Sequence, residues 1–100
     1  MTRVDKKFLK LGYSLDYSTK YGASYKKDMG KYCHVISILH KSYRDREDNY
    51  IIQSYQEDLN SDGFNNMDVM TKREAQLAVQ KLNELKRIYR KEWRKQNGRT

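Results

Sequence analysis

Apolar residues near the start of the chain alternate with polar ones, a period of two that is typical of β-strands. These alternating positions are Leu9, Leu11, Tyr13, Leu15 and Tyr17. Tyrosines then continue at a four-residue step to Tyr21 and Tyr25, a spacing compatible with either a strand or a helix. The residues between them are mostly Ser, Thr and Gly, which are poor helix formers. The pattern predicts a hairpin with strands over Tyr13–Tyr17 and Tyr21–Lys27 and a turn over Ser18–Lys20.

The segment Tyr32–His40 is apolar on both faces and rich in β-branched residues, which predicts a central strand of a sheet. An Asp-Met-Gly turn signal at residues 28–30 separates it from the first hairpin. The remaining elements are predicted from composition: a short helix over Asp5–Leu11 closed by Gly12, a charged loop over Lys41–Asn49, a returning strand over Tyr50–Gln56 and a polar segment over Glu57–Asp68.

A long helix is predicted from Thr71 to Trp93. Thr71 is followed three residues later by Glu74, which is the capping-box pattern. One apolar stripe recurs at helical spacing and contains Ala75, Ala78, Val79, Leu82, Leu85, Tyr89 and Trp93. The basic residues beside that stripe occupy one half of the helical wheel and are Lys86, Arg87, Arg90, Lys91, Arg94 and Lys95.

These elements predict a single α+β domain over residues 1–100. Its antiparallel sheet has three or four strands, the long helix packs across one face, and a short helix precedes the sheet. Apolar residues make up 37% of the 100 residues, so nine tyrosines supply much of the bulk of a modest core. No linker or internal repeat divides the chain.

The net charge of +8 is concentrated near the C-terminus. The segment from Lys86 to Arg99 holds seven basic residues and one acid, Glu92, which leaves +2 for the other 86 residues. Cations suit a helix C-terminus because of the helix dipole, but six of them within ten residues exceed that requirement. The alternatives are a solvated face and a face that binds phosphate or an acidic protein surface.

The tyrosines also allow two interpretations. Core packing and cross-strand pairing account for most of them, because aliphatic residues are few. Base stacking on a sheet is the functional alternative, and the segment Lys20–Lys27 (KYGASYKK) combines aromatic and basic residues in the manner of RNA-binding strands. Tyr21 and Tyr25 are therefore the candidates for stacking contacts.

Residues that carry catalytic or metal chemistry are sparse. Cys33 and His34 are adjacent on a strand and point to opposite faces, while His34 and His40 lie about 20 Å apart at 3.3 Å per residue. Asp58, Asn60 and Asp62 match the first half of a calcium-binding loop, but Val69 stands where such a loop has a glutamate, which favours an ordinary turn. We expect no enzymatic activity, cofactor or metal.

The compartment is predicted from the lone cysteine and the absence of long apolar runs. Cys33 has no internal disulfide partner, which favours a reducing environment. Neither a signal peptide nor a membrane-spanning run of about 20 apolar residues is present in the sequence. We expect a cytoplasmic protein without a membrane partner, located in the host cell cytoplasm if the chain is phage-encoded.

The helix start at Thr71–Val79, TKREAQLAV, resembles the beginning of the second helix of double-stranded-RNA-binding domains. In that family a Ser/Thr-Lys-Lys-x-Ala-Lys run faces phosphates across the major groove. Gln76 stands where the family has its third lysine. The resemblance implies that nucleic acid is a direct partner.

A second resemblance covers most of the chain. FLKLGYSL at residues 8–15, the Tyr- and Lys-rich strands and MTKREAQLAVQKLNEL at residues 70–85 resemble the helix–strands–helix layout of small accessory proteins of phages infecting low-GC bacteria, anti-CRISPR proteins among them. This resemblance implies a non-enzymatic inhibitor of a host nucleic-acid enzyme, such as a CRISPR nuclease, acting through the basic helix. The alternative is an RNA- or DNA-binding module that uses the same face.

Overall fold

The computed structural model describes residues 1–40, 49–58 and 65–97. They form seven elements in chain order: α1 Arg3–Lys10, β1 Ser14–Ser18, β2 Gly22–Asp28, β3 Tyr32–His40, β4 Tyr50–Asp58, β5 Asn65–Met67 and α2 Lys72–Asn97. The predicted α+β class is confirmed, with a short N-terminal helix and a long C-terminal one. Most of the predicted charged loop, at positions 41–48, lies outside the described residues.

The sheet is a meander in which every strand pairs antiparallel with the next, in the order β1-β2-β3-β4-β5. Its five strands correct the expectation of three or four. The additional strand is β5, which lies in the segment predicted to be a polar loop. Its three residues, Asn65–Met67, pair with Tyr55–Glu57 and are too few and too polar to show a period-two pattern in the sequence.

Both helices begin with a capping box. In α1 the Thr2 hydroxyl accepts from the Asp5 amide at 3.2 Å, and the Asp5 carboxylate accepts from the Thr2 amide at 3.0 Å. The helix therefore begins two residues before the predicted Asp5. In α2 the predicted Thr71–Glu74 box is confirmed, with corresponding distances of 3.0 and 2.8 Å.

Two glycines permit the tight path of the first third of the chain. Gly12 has φ of +97°, as expected of the residue that closes α1. At Gly22, where β2 begins, an added Cβ would lie 2.7 Å from the Ile38 carbonyl oxygen of the neighbouring strand. A side chain at residue 22 would therefore push β2 away from β3.

Both helices pack on the same face of the sheet. In the core, the ring of Phe8 from α1 stacks on Tyr25 from β2 with 3.9 Å between ring centroids. The buried apolar cluster consists of Val4, Phe8, Tyr13, Ala23, Tyr25, Ile36, Ile38, Leu77, Ala78, Leu82 and Leu85. On the opposite face Val35 is also fully buried, flanked by its cross-strand partners Lys26 and Tyr55.

The buried stripe of α2 differs from the predicted one at its edges and at its end. Leu77 and Lys81 are buried, whereas Val79 and Trp93 are exposed by 45% and 51%. Trp93 is eleven residues after Leu82, which at 100° per residue places it within about 20° of the same direction. Because Trp93 points in the direction of the core, its exposure means that α2 extends past the packed part of the molecule.

Candidate functional site

Exposed cations cover the outer side of the last turns of α2. Between Arg87 and Lys95 only Tyr89 is half-buried, and the other residues are exposed. At 100° per residue, four of the cations lie within about 60° of the direction opposite the buried Leu85. We call them the basic ridge: Arg87, Arg90, Lys91 and Arg94. Together with Glu84 and Ile88 they line a shallow groove on the helix surface.

The one acidic residue in this stretch is turned away from the ridge. Glu92 lies on the core side of the wheel, and its carboxylate pairs with the Lys20 ammonium at 3.0 Å. An exposed pair of this kind contributes little stability, but it removes a carboxylate from the neighbourhood of the ridge. The cations of the ridge are thus concentrated on a side without a carboxylate from residues 87–95.

Two predicted members of the basic face differ in position. Lys95 is exposed and lies at the side of the ridge. Lys86 is only 7% exposed, and its ammonium lies 5.9 Å from the centre of the Tyr50 ring. Lys86 therefore does not belong to the exposed surface, because its side chain is buried and its ammonium stands beside Tyr50 of β4.

The two candidate stacking tyrosines also have different environments. Tyr25 is fully buried, and its hydroxyl donates to the Asp5 carboxylate at 2.5 Å, which corrects the expectation of an exposed contact. Burial and this hydrogen bond raise the pKa of Tyr25 above its usual value. Tyr21 is 41% exposed and stands beside Tyr89 with 5.9 Å between ring centroids, so it remains a candidate contact.

Further exposed aromatic rings lie at the same end of the molecule. Tyr50, the first residue of β4, is 54% exposed, and Trp93 is 51% exposed. The sequence pattern placed Trp93 in the core stripe and Tyr50 in a returning strand. A core-facing residue of α2 is buried only where the sheet lies beneath it. How far the sheet extends along α2 is set by the tertiary structure, which helical spacing does not reveal.

A polar network, not anticipated from the sequence, joins the start of α2 to the middle of the sheet. The Tyr13 hydroxyl donates to Glu74 Oε2 at 2.6 Å and lies 3.5 Å from His34 Nδ1. The other nitrogen of the His34 imidazole, Nε2, lies 2.6 Å from Ser54 Oγ. Burial, followed by the contact with Glu74, raises the pKa of Tyr13 well above its usual value. Tyr13, His34 and Ser54 are all buried.

Ser54, His34 and Asp68 are arranged in the order of a serine–histidine–acid relay. The distance from His34 Nδ1 to Asp68 Oδ2 is 3.8 Å, which is longer than a hydrogen bond. Ser54 is 8% exposed within a regular strand, whereas the nucleophile of such a relay has to reach its substrate. This geometry favours a structural link between β3, β4 and the segment that leads from β5 into α2.

A buried ion pair joins the two helices. The Lys81 ammonium lies 3.0 Å from Asp5 Oδ1 and 2.9 Å from Glu84 Oε1, and Lys81 is only 1% exposed. Burial acts to raise the pKa of Asp5, but hydrogen bonds from Tyr25, the Thr2 amide and Lys81 hold it below its usual value. Sequence reasoning missed this pair, because nothing local in the chain places Asp5 opposite Lys81.

The candidate metal ligands are mostly outside the described segments. Asp58 ends β4 and is exposed, while Asn60 and Asp62 lie outside the described residues. In the part of the chain that the structure describes, no three His, Cys, Asp or Glu side chains come together as a metal site. No helix within residues 1–40, 49–58 and 65–97 is long and apolar enough to cross a membrane.

Compared with protein-family models, curated proteins and solved structures, the chain gives no match. Function is therefore argued from the geometry of the basic ridge and the residues around it.

Proposed function

We propose that this chain is a small non-enzymatic binding protein that acts through the basic ridge of α2. The observation that carries the proposal is the concentration of Arg87, Arg90, Lys91 and Arg94 opposite the core, while Glu92, the one acid of residues 87–95, pairs with Lys20. A phosphate-rich or acidic partner complements such a surface and is drawn to it at long range. The ridge side chains are exposed on the side opposite the core, so binding leaves the packing of α2 unchanged.

The partner we favour is a host protein–nucleic-acid complex, such as a CRISPR nuclease with its guide RNA. This choice rests on the helix–strands–helix resemblance to phage accessory proteins, and the chain would then be a phage-encoded inhibitor. The ridge would occupy a phosphate-binding or acidic surface of the enzyme. Inhibition would need no chemistry from the inhibitor itself.

Charge reversal of three ridge residues and the neighbouring Lys95, called the ridge variant, tests the proposal. Changing Arg90, Lys91, Arg94 and Lys95 to Glu should abolish partner capture and inhibition, while the melting temperature changes only slightly because these side chains are exposed. Some fraying of the last turns is expected, at about 0.3–1 kcal/mol per charge, because acids oppose the helix dipole there. Capture is measured by pull-down of a purified CRISPR nuclease, and inhibition by its cleavage rate.

The matched control reverses four exposed cations elsewhere, so that its net charge equals that of the ridge variant. The four residues are Arg3, Lys6, Lys10 and Lys31, each changed to Glu. The control should still bind. If the ridge variant keeps full binding, the basic ridge is only a solvated surface. If pull-downs recover nucleic acid and no host protein, the inhibitor hypothesis is wrong.

Direct binding of nucleic acid is the second candidate, favoured by a row of four cations along one side of a single helix. A gel-shift salt series measures it, because each phosphate contact that a substitution removes should flatten the logarithmic salt slope by about one unit for a duplex. The absence of any shift at low salt would exclude this candidate and leave the protein target.

A further inference from the structure

Exposed aromatic rings and cations share one flank of the end of α2. Lys86 lies beside Tyr50, and Trp93 comes seven residues later, two turns along and within about 20° of the same direction. Lys86 and Trp93 therefore leave the same side of the helix, about 10 Å apart along its axis, and Tyr50 adjoins that side through Lys86. Both rings are about half exposed, at 54% and 51%.

Two exposed arginines emerge on the same flank of α2. Arg90 follows Lys86 by one turn and precedes Trp93 by three residues, so its side chain emerges on the same flank, between Lys86 and Trp93 along the helix axis. Arg94 is the next position one turn on, and both arginines are exposed. Along the flank, aromatic and cationic side chains thus follow one another, and the flank merges with the basic ridge.

We propose that this flank, formed by Tyr50, Arg90, Trp93 and Arg94, binds single-stranded nucleic acid. Bases stack on Trp93 and Tyr50, while Arg90 and Arg94 contact the phosphates. Single-strand binders combine an aromatic platform with a cationic track in this way, and stacking tolerates any base sequence. The inference rests on the nucleic-acid candidate of the proposed function and adds the strand type and the stacking residues.

A single strand fits the flank better than a duplex does. The bases of a duplex are stacked on each other, and a helix lying along a duplex meets phosphates and base edges instead of ring faces. Exposed aromatic rings gain a contact only from bases that are unstacked. The arginines alone would serve either form, so the aromatic rings decide the preference.

Trp93 provides the measurement, because it is the only tryptophan in the chain. Titration with an oligothymidine of about 12 nucleotides, within the usual site sizes, should quench its fluorescence in a saturable manner at low salt. The corresponding thymidine–adenosine duplex should bind more weakly and cause little quenching. Thermal melts confirm that each variant is folded.

Variants separate stacking from charge when binding is followed by the anisotropy of labelled oligothymidine. Trp93→Ala should weaken binding about 5- to 150-fold without changing the salt slope, while the control Trp93→Phe keeps most of the affinity. Arg94→Ala should instead reduce the salt slope by about 0.7, the value for one phosphate of a single strand.

Each result decides the inference. If Trp93→Ala binds like the parent, or if the duplex binds as tightly as the single strand, stacking on this flank is wrong, although salt-dependent binding by the ridge still supports the proposed function. If only the duplex binds, the inference alone is wrong. If neither oligothymidine nor the duplex binds at low salt, both the inference and the nucleic-acid candidate fail. Capture of a nuclease through the ridge is then judged by the pull-down alone.

Discussion

At the scale of the residue, Tyr13 and Tyr25 hold the starts of the two helices to the sheet. The acidic residue of each capping box accepts a hydrogen bond from a tyrosine hydroxyl. Tyr25 donates to Asp5 at 2.5 Å, and Tyr13 donates to Glu74 at 2.6 Å. A hydrogen bond to a charged group contributes about 1.5–3 kcal/mol. Tyr25→Phe should therefore lower the free energy of unfolding by about that amount, measured by urea denaturation.

Tyr17→Phe is the control for this prediction, because Tyr17 lies on the neighbouring strand β1 and is 42% exposed. Because Tyr17 is exposed, the change in the free energy of unfolding should stay within about 0.5 kcal/mol. Equal effects of the two substitutions would mean that the bond between Tyr25 and Asp5 contributes nothing specific.

At the scale of the element, Lys81 fastens α2 to α1 through Asp5. Lys81→Ala leaves Asp5 buried without its cation, so we expect a loss of about 3–5 kcal/mol in the free energy of unfolding. The double variant Asp5→Asn with Lys81→Met should recover part of that loss, because it removes both buried charges. Urea denaturation of the single and double variants gives the coupling energy.

Gln80→Ala provides the control, since Gln80 is the exposed neighbour of Lys81 on the same helix and also has a long polar side chain. It should leave stability nearly unchanged. If Lys81→Ala is as mild as Gln80→Ala, the ion pair between the helices does not stabilise the fold.

At the scale of the whole molecule, the buried carboxylates make stability dependent on pH. Burial acts to raise the pKa values of Asp5 and Glu74, but their hydrogen bonds, first those from Tyr25 and Tyr13, hold them below the ordinary 3.8 and 4.5. The unfolded chain therefore binds protons first as the pH falls. The stabilisation is complete above about pH 5 and is lost progressively below about pH 4.5, as urea midpoints at several pH values should show.

The double variant Asp5→Asn with Glu74→Gln should be less stable at neutral pH and should lose less stability on acidification. Tyr13 and Tyr25 make stability fall as the pH rises, the opposite dependence. The pKa of each phenol is raised by burial and then by the carboxylate that it contacts, Glu74 or Asp5. Their contribution is complete below about pH 10 and is lost above it. If the double variant loses as much stability below about pH 4.5 as the parent does, Asp5 and Glu74 are not the groups responsible for that loss.

Much of the fold was predictable from the sequence because its signals are local. The period-two pattern, the two-faced segment Tyr32–His40 and the Thr71–Glu74 box each act over a few residues, and the structure confirms the elements they predict. The exposed Arg87, Arg90, Lys91, Arg94 and Lys95 were predictable for the same reason, since helical spacing alone separates them from the stripe.

The sequence by itself thus determined the segments that become α1, β1 to β4 and α2, though not β5, and the charge of the helix that ends the described chain. Only the tertiary structure decided which side chains are buried. Tyr25 and Lys81 both meet Asp5 of α1, and Lys86 meets Tyr50 of β4, so each lies against a residue of another element. Trp93 is exposed because α2 extends past the core. The burial of a side chain depends on residues that are distant in the chain, and the spacing of residues along one helix does not show which of them will be near.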